Sequence, residues 1–151
     1  ETVCILLIPF FLKRFGIKVV MMDQGLVAAV QWLAENFERR TGIVVRVDAP
    51  AHIAVPPEVQ VVAYRTAQEA LTNVSKYAQA TAVHIDMSNA EGHLTLEVRD
   101  NGCGIAPEQR RKPKAFGLRG LAERARTVDG WLDVSSQVGK GTSIIVSIPL
   151  P

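Results

Sequence analysis

The sequence predicts an α+β fold: a two-layer sandwich with a mixed, mostly antiparallel sheet covered on one face by helices. Three observations lead there. Apolar residues recur at three- and four-residue spacing in three stretches, and they alternate in several shorter ones. Helices and hairpins also come in runs, without the strict strand-helix alternation of a parallel sheet. A length of 151 residues with 48% hydrophobic and 21% charged residues suits one domain with a core of its own.

The chain opens on an apolar run from Val3 to Leu12, broken by Pro9 and about half the roughly 20 residues a spanning helix needs. Glu1 in front and Lys13-Arg14 behind reverse the charge order of a signal peptide. The run reads as a buried or partner-facing segment, with a membrane-proximal remnant as the alternative. A first residue of Glu1 instead of Met leads us to expect a piece of a longer protein. We divide the chain into an atypical segment over 1–22 and a domain over 23–151.

From Gly25 to Arg40, Leu26, Val27, Val30, Leu33, Ala34 and Phe37 mark an amphipathic helix that Thr41-Gly42 ends. Ile43 to Val47 is a short strand, and the loop from Ala49 leads to a second helix that starts near Pro56-Pro57-Glu58 and runs to about Ala78. Ala82 to Met87 and Leu94 to Arg99 alternate, and they pair as a hairpin across Ser88 to Gly92. A polar segment from Ala106 to Ala115 precedes a third helix, Leu118 to Val128, with Leu118, Leu121, Ala122, Ala125 and Val128 on one side and Gly130 as its stop. Trp131 to Ser135 and Thr142 to Ile148 close the chain as a hairpin across the glycine-bearing turn Gln137 to Gly141.

A net charge of +2 is too small to make nucleic acid or an anionic membrane the main partner. The basic run Arg110-Arg111-Lys112-Pro113-Lys114 reads as a solvated loop. Cys4 and Cys103 stand far apart in dissimilar contexts, so neither a disulfide framework nor a paired-cysteine metal site is expected, and a reducing cytoplasm is the simpler setting.

Three motifs carry chemistry. On the second helix a 100° step groups Tyr64, Ala67, Leu71, Val74 and Ala78 on the face that packs on the sheet. Glu69, Asn73 and Lys76 then fall on the opposite face, with Thr66 and Tyr77 at its margin. A solvated helix face explains that ridge as well as a site does. Yet a carboxylate and an amide oxygen suit Mg²⁺, and a lysine suits phosphate. In the strand before Gly102, Leu94, Leu96 and Val98 share one face; the count puts Asp100 on it, where a carboxylate needs a donor. Glycines follow in Asp100-Asn101-Gly102-Cys103-Gly104-Ile105, allowing a sharp turn and a close approach by a ligand; an Asx-capped turn is the plainer alternative. Third, Phe116-Gly117-Leu118-Arg119-Gly120-Leu121 puts glycines at a helix start, where free amides favour an anion. The alternative there is a cap followed by a close helix–sheet contact at Gly120.

In this order the three segments resemble the ATP-binding domain shared by sensor histidine kinases, DNA gyrase and MutL repair proteins, a fold of the Bergerat type. Glu69 to Ala78 is similar to that superfamily's N box, Asp100 to Ile105 to its first glycine box, Phe116 to Arg124 to its second, and Gly139-Lys140-Gly141-Thr142 to the turn before its last strand. The wording is most similar to histidine kinases that work with helix-turn-helix response regulators, over roughly Gly25 to Leu150.

The resemblance implies that Asp100 accepts the adenine amino group, with Thr142 beside it, and that Gly102 and Gly104 shape the adenine pocket next to Ile105. It implies that Asn73 coordinates Mg²⁺ and that Glu69 assists through a metal-bound water or acts as base. Lys76 would approach the phosphates, and Gly117 and Gly120 would present amides to the triphosphate, with Leu118 and Leu121 in the same nucleotide-binding set. Residues 106–115 become an ATP lid whose Arg110, Arg111, Lys112 and Lys114 are candidate phosphate contacts. Tyr77 stands where these kinases commonly have histidine, and residues 1–22 do not resemble the end of a dimerisation helix.

The implied reaction is transfer of the γ-phosphate of Mg-ATP to a histidine on separate dimerisation helices, with a response regulator downstream. Membrane contact would come only through parts of a longer protein. His52, His84 and His93 are not in the helical setting of a phosphoacceptor. The alternatives are an anti-sigma-type serine kinase and a nucleotide-binding regulatory domain without transfer.

Overall fold

The computed structural model describes residues 16–112 and 115–151, with side chains from Gln24 onward except that of Ala115. The run from Val3 to Leu12 and Lys114 lie outside the described residues. Helix α1 (Gly16–Thr41) is interrupted at Gly25, whose φ of 86° and ψ of 175° leave the helical region. The stretch after Gly25 is the expected amphipathic helix. The helical turns before it begin inside the 1–22 segment that the sequence marks as atypical.

Strand β1 (Val44–Asp48) follows, then α2 (Pro57–Asn73), whose last turn widens into a π-type turn over Val74–Ala78 and ends on Gln79 in the left-handed region. Strands β2 (Ala82–Ala90) and β3 (His93–Asp100) pair antiparallel across a two-residue turn, Glu91-Gly92, both at positive φ. The five-residue turn expected there is shorter because Ser88, Asn89 and Ala90 continue the ladder opposite Thr95, Leu94 and His93. A short helix α3 (Pro107–Arg110) and a 3₁₀ turn (Ala115–Gly117) lead into α4 (Leu118–Arg126), and β4 (Trp131–Gln137) and β5 (Gly141–Pro149) close the chain.

The five strands lie in the order β1-β2-β3-β5-β4; β1 and β2 are parallel and all other pairs antiparallel. The predicted fold class is therefore the observed one. Inward residues of β2, β3 and β5 meet α1 and α2 in one core, where Phe37, Leu26, Leu71, Ile85, Leu96 and Ile148 are buried completely. Each such side chain contributes roughly 1.5–3 kcal/mol by leaving water.

Two local expectations need correction. Gly130 is not the left-handed residue that stops α4; Asp129 is, at φ 59°. The amides of Asp129 and Gly130 return to the carbonyls of Arg126 and Ala125, a Schellman closure. Gly130 is required for another reason: a Cβ there would come within 2.7 Å of the Ser147 carbonyl oxygen. On α2, Asn73 does not face away from the core. The helix packs against α1 and α4 as well as the sheet, so its buried arc widens to take in Thr66 and Asn73. Thr66 answers by donating to the Val62 carbonyl at 2.9 Å.

Candidate functional site

Asp100 ends β3 and points inward, as the alternation required, with 8% of its surface exposed. Its Oδ1 accepts the Gly102 amide at 2.8 Å, which is an Asx turn. The turn and the inward carboxylate are thus the same feature. Burial raises the pKa of Asp100, and the amides of Gly102 and Thr142 pull it back down without cancelling the shift. The donors it has found are backbone amides, and no cation pairs with it among the described residues.

The segment after Asp100 is stitched between two elements. The Cys103 amide donates to the Ala78 carbonyl at 2.6 Å, at the end of the π-turn, and the Gly139 amide donates to the Cys103 carbonyl at 2.7 Å, from the β4–β5 hairpin. A side chain at Gly102 would strike the Ala78 carbonyl, and one at Gly104 (φ 75°) would strike the Gln137 carbonyl. Sequence reasoning missed Ser136, which faces inward and accepts the Ile105 amide at 2.7 Å while sharing a hydrogen bond of 2.9 Å with the Thr142 hydroxyl. Its only signal is its place in the alternation of β4.

These residues border a narrow cleft of about 20 Å³ that Asn73, Tyr77, Asp100, Gly104, Phe116 and Thr142 enclose. Ile105 lies beside them, and Val98 and Ile144 add apolar wall. Gly102 is not in the lining; its role is to bring the turn against Ala78. Phe116 enters the sequence argument only as part of a motif, yet it is central. Its ring meets Tyr77 edge-on at 4.9 Å, and its carbonyl accepts the Asn73 Nδ2 at 2.7 Å. That bond fixes the amide orientation and leaves Oδ1 as the acceptor that no described residue engages.

A second hollow, of about 590 Å³, lies where α4 begins, lined by Glu69, Gly117, Arg119, Gly120, Leu121 and Arg124. Phe116 and Gly117 are both left-handed, at φ 60° and 64°. At Gly117 a Cβ would come within 2.6 Å of Glu69 Oε1, so the half-buried carboxylate and the first turn of α4 face each other directly. Gly120 is exposed, and a Cβ added there would meet nothing within 4 Å, so the alternative of a close helix–sheet contact at this glycine is ruled out. Arg119 pairs with Glu123 one turn on, at 3.3 Å, on the surface.

The sequence-predicted residues thus divide between two adjoining hollows. Asn73, Tyr77, Asp100, Gly104, Ile105 and Thr142 meet in the first, and Glu69, Gly117, Gly120 and Leu121 in the second. Lys76 is exposed and Leu118 half-buried; neither lines either of these two hollows. Among the described residues no group of three or more His, Cys, Asp or Glu side chains is arranged to hold a metal ion, and no helix is long and apolar enough to cross a membrane.

A buried carboxylate beside glycines, followed by an open helix start, defines a site for a ligand with a hydrogen-bond donor at one end and an anion at the other. Comparison with known proteins gives that class its family. Residues 58–151 match the family described as histidine kinase-, DNA gyrase B-, and HSP90-like ATPase. The chain belongs to this family, and its domain binds ATP. It is 33% identical over 137 residues to the signal transduction histidine-protein kinase/phosphatase DegS of Brevibacillus brevis, covering 88% of this chain and 34% of that protein. It is 34% identical over 129 residues to the oxygen sensor histidine kinase NreB of Staphylococcus carnosus, covering 85% and 37%. The chain spans about a third of the length of these relatives. Among solved structures, the histidine kinase domain of a blue-light activated histidine kinase from Erythrobacter litoralis superposes with a TM-score of 0.71 at 25% identity, over 83% of this chain and 61% of that one. The histidine kinase AdeS of Acinetobacter baumannii shares the fold, with a TM-score of 0.65 at 16% identity, over 97% and 80%.

Proposed function

We propose that this domain binds Mg-ATP and donates the γ-phosphate to a histidine on separate dimerisation helices, as the catalytic domain of a two-component sensor kinase that works with a response regulator. The domain would run over 23–151, act in the cytoplasm, and need its phosphoacceptor helices for autophosphorylation. The observation that carries this reading is Asp100: a buried carboxylate held by backbone amides alone, at the mouth of a cleft with apolar walls. An adenine amino group offers the donor such a group seeks, and apolar walls suit the faces of a flat aromatic base.

Each residue then has a part. Asp100 accepts the adenine amino group; Thr142, held by Ser136, stands beside it; Gly104 and Ile105 form one wall, and Tyr77 and Phe116 another. Gly102 packs the turn. The donor set fits magnesium: Asn73 has an unengaged Oδ1 and Glu69 lies one turn away, and Mg²⁺ takes its other ligands from water and phosphate oxygens. When bound, the ion would neutralise charge on the phosphates. Gly117, Leu118, Gly120 and Leu121 bring the amides of the first turn of α4 to the triphosphate, and Lys76 approaches from solvent. In the transfer the acceptor nitrogen bonds to the γ-phosphorus as the bond to the bridging oxygen breaks, and that electron pair leaves with ADP. Glu69 would either assist the ion through a bound water or act as the base that takes the imidazole proton.

The test is nucleotide binding by calorimetry with and without magnesium, followed by transfer to a histidine-bearing helical domain added in trans. Asp100→Asn should weaken ATP binding roughly 100-fold, the size of a lost charge-assisted hydrogen bond. Asn73→Ala should spare metal-free nucleotide binding and abolish magnesium-dependent transfer. Unchanged ATP affinity in the Asp100 variant would overturn the adenine assignment.

A further inference from the structure

The helix-free face of the sheet carries a charge order that the nucleotide site does not use. In register across β1, β2, β3, β5 and β4, the residues Arg46, His84, Arg99, Ser143 and Ser135 form one rung. Two positions along, Asp48, Asp86, Glu97, Ile145 and Asp133 form the next. One rung is basic and its neighbour acidic. Like charges directly opposite across strands, as at Asp48–Asp86 and Asp86–Glu97, destabilise a sheet. Only part of the cost is offset internally: Arg46 and His84 meet Asp48 at 3.1 and 2.6 Å, and Arg99 meets Glu97 at 3.0 Å. Asp86 and Asp133 are exposed and have no ion pair among the described residues.

This pattern is self-complementary. A two-fold axis running between the two rungs and parallel to them sets the basic rung of one copy over the acidic rung of another, so that Arg99 meets Glu97, Arg46 meets Asp48 and His84 meets Asp86 across the interface. The same rotation carries Trp131, at one end of β4, over Gln137 at the other. Trp131 is 54% exposed. The Gln137 end of the face is a groove of about 620 Å³, lined among others by Arg46, Arg99, Ser135, Gln137, Lys140 and Ser143. The indole of each copy therefore enters the groove of the other beside Lys140, a cation suited to the ring face.

We propose that this face is the docking surface for a second copy of this chain; its groove shares Asp100 and Thr142 with the nucleotide cleft. Five strands about 4.8 Å apart, over some seven residues each, give a patch on the order of 500 Å² per copy. A total near 1,000 Å² is at the low end for a specific interface, so the dimer is a weak one, with a dissociation constant on the order of 10–100 µM.

Sedimentation of the 151-residue chain across that range tests it. Arg99→Glu sets a carboxylate against Glu97 of the second copy, and Glu97→Arg sets a guanidinium against its Arg99, so each variant alone should be monomeric. An equimolar mixture should dimerise again, because both cross-pairs become attractive in the heterodimer. A wild-type chain that stays monomeric, single variants that still dimerise, or a mixture that stays monomeric would each overturn the proposal. Should either charge variant fail to fold by circular dichroism, Trp131→Ala decides instead: a tenfold or greater loss of self-association supports the surface, and unchanged association overturns it.

Discussion

At the Asp100 end of the candidate site the walls are fixed by backbone packed on backbone: Gly102 lies against the Ala78 carbonyl, Gly104 against that of Gln137, and the Cys103 amide and carbonyl are both bonded across the fold. At the Gly120 end the first turn of α4 stands in solvent, with room for a methyl group and a surface ion pair beside it. The same residue type does opposite things at the two ends. Glycine is required by contact at Gly102 and Gly104, whereas a Cβ at Gly120 would meet nothing within 4 Å. On the proposed reading, a flat base would meet the end walled by packed backbone, and a flexible, charged triphosphate would meet the open helix start.

Substitution separates the two ends, and the largest effect is expected at Gly102. Gly102→Ala should destabilise the domain by about 3 kcal/mol or more, read as a lowered urea midpoint, because the obstruction is a carbonyl that cannot swing aside. Next comes acidity. Asp100 has a raised pKa, so its contribution to folding is present below the ordinary carboxylate range and is lost as pH rises through the raised value. Ligand binding runs the other way, since only the carboxylate accepts two donors freely. Adenosine affinity, measured so that no phosphate titrates, should fall on acidification from above the ordinary carboxylate range, and Asp100→Asn should flatten the profile. A profile in wild type as flat as in the variant would remove the carboxylate from recognition.

Smaller effects test how the ends are joined. Tyr77 and Phe116 should show a coupling of roughly 0.5–1.5 kcal/mol in a double-mutant cycle of thermal stability, and nucleotide binding should change that coupling if the pair borders the ligand. The mildest change is Gly120→Ala. In an exposed helical turn it should stabilise the domain by about 0.5–1 kcal/mol while weakening triphosphate binding more than adenosine binding. A gain in stability with both affinities unchanged would take Gly120 out of the site.

The alternation of β3 is enough to predict that Asp100 points inward, because a period of two has no freedom once Leu94, Leu96 and Val98 are buried. The glycines are legible as turn and approach positions, but not which carbonyl each one meets, since that depends on contacts far along the chain. Asn73 is misplaced on α2 for a related reason: a helical wheel with one sheet below it does not include α4 packing from the side. Phe116 and Ser136 carry no motif chemistry of their own, so only the folded chain could select them.

The π-type turn at Val74–Ala78 works as a length standard. The interval from Asn73 to Ala78 sets how far the Asn73 amide sits from the carbonyl that receives Cys103. Deleting one residue there would rewind the turn as α-helix and swing that carbonyl about 100° around the axis. The helix and the glycine segment would then be out of phase, though every motif residue remained. Spacing between the motifs is thus as much a requirement of the site as the motif residues themselves.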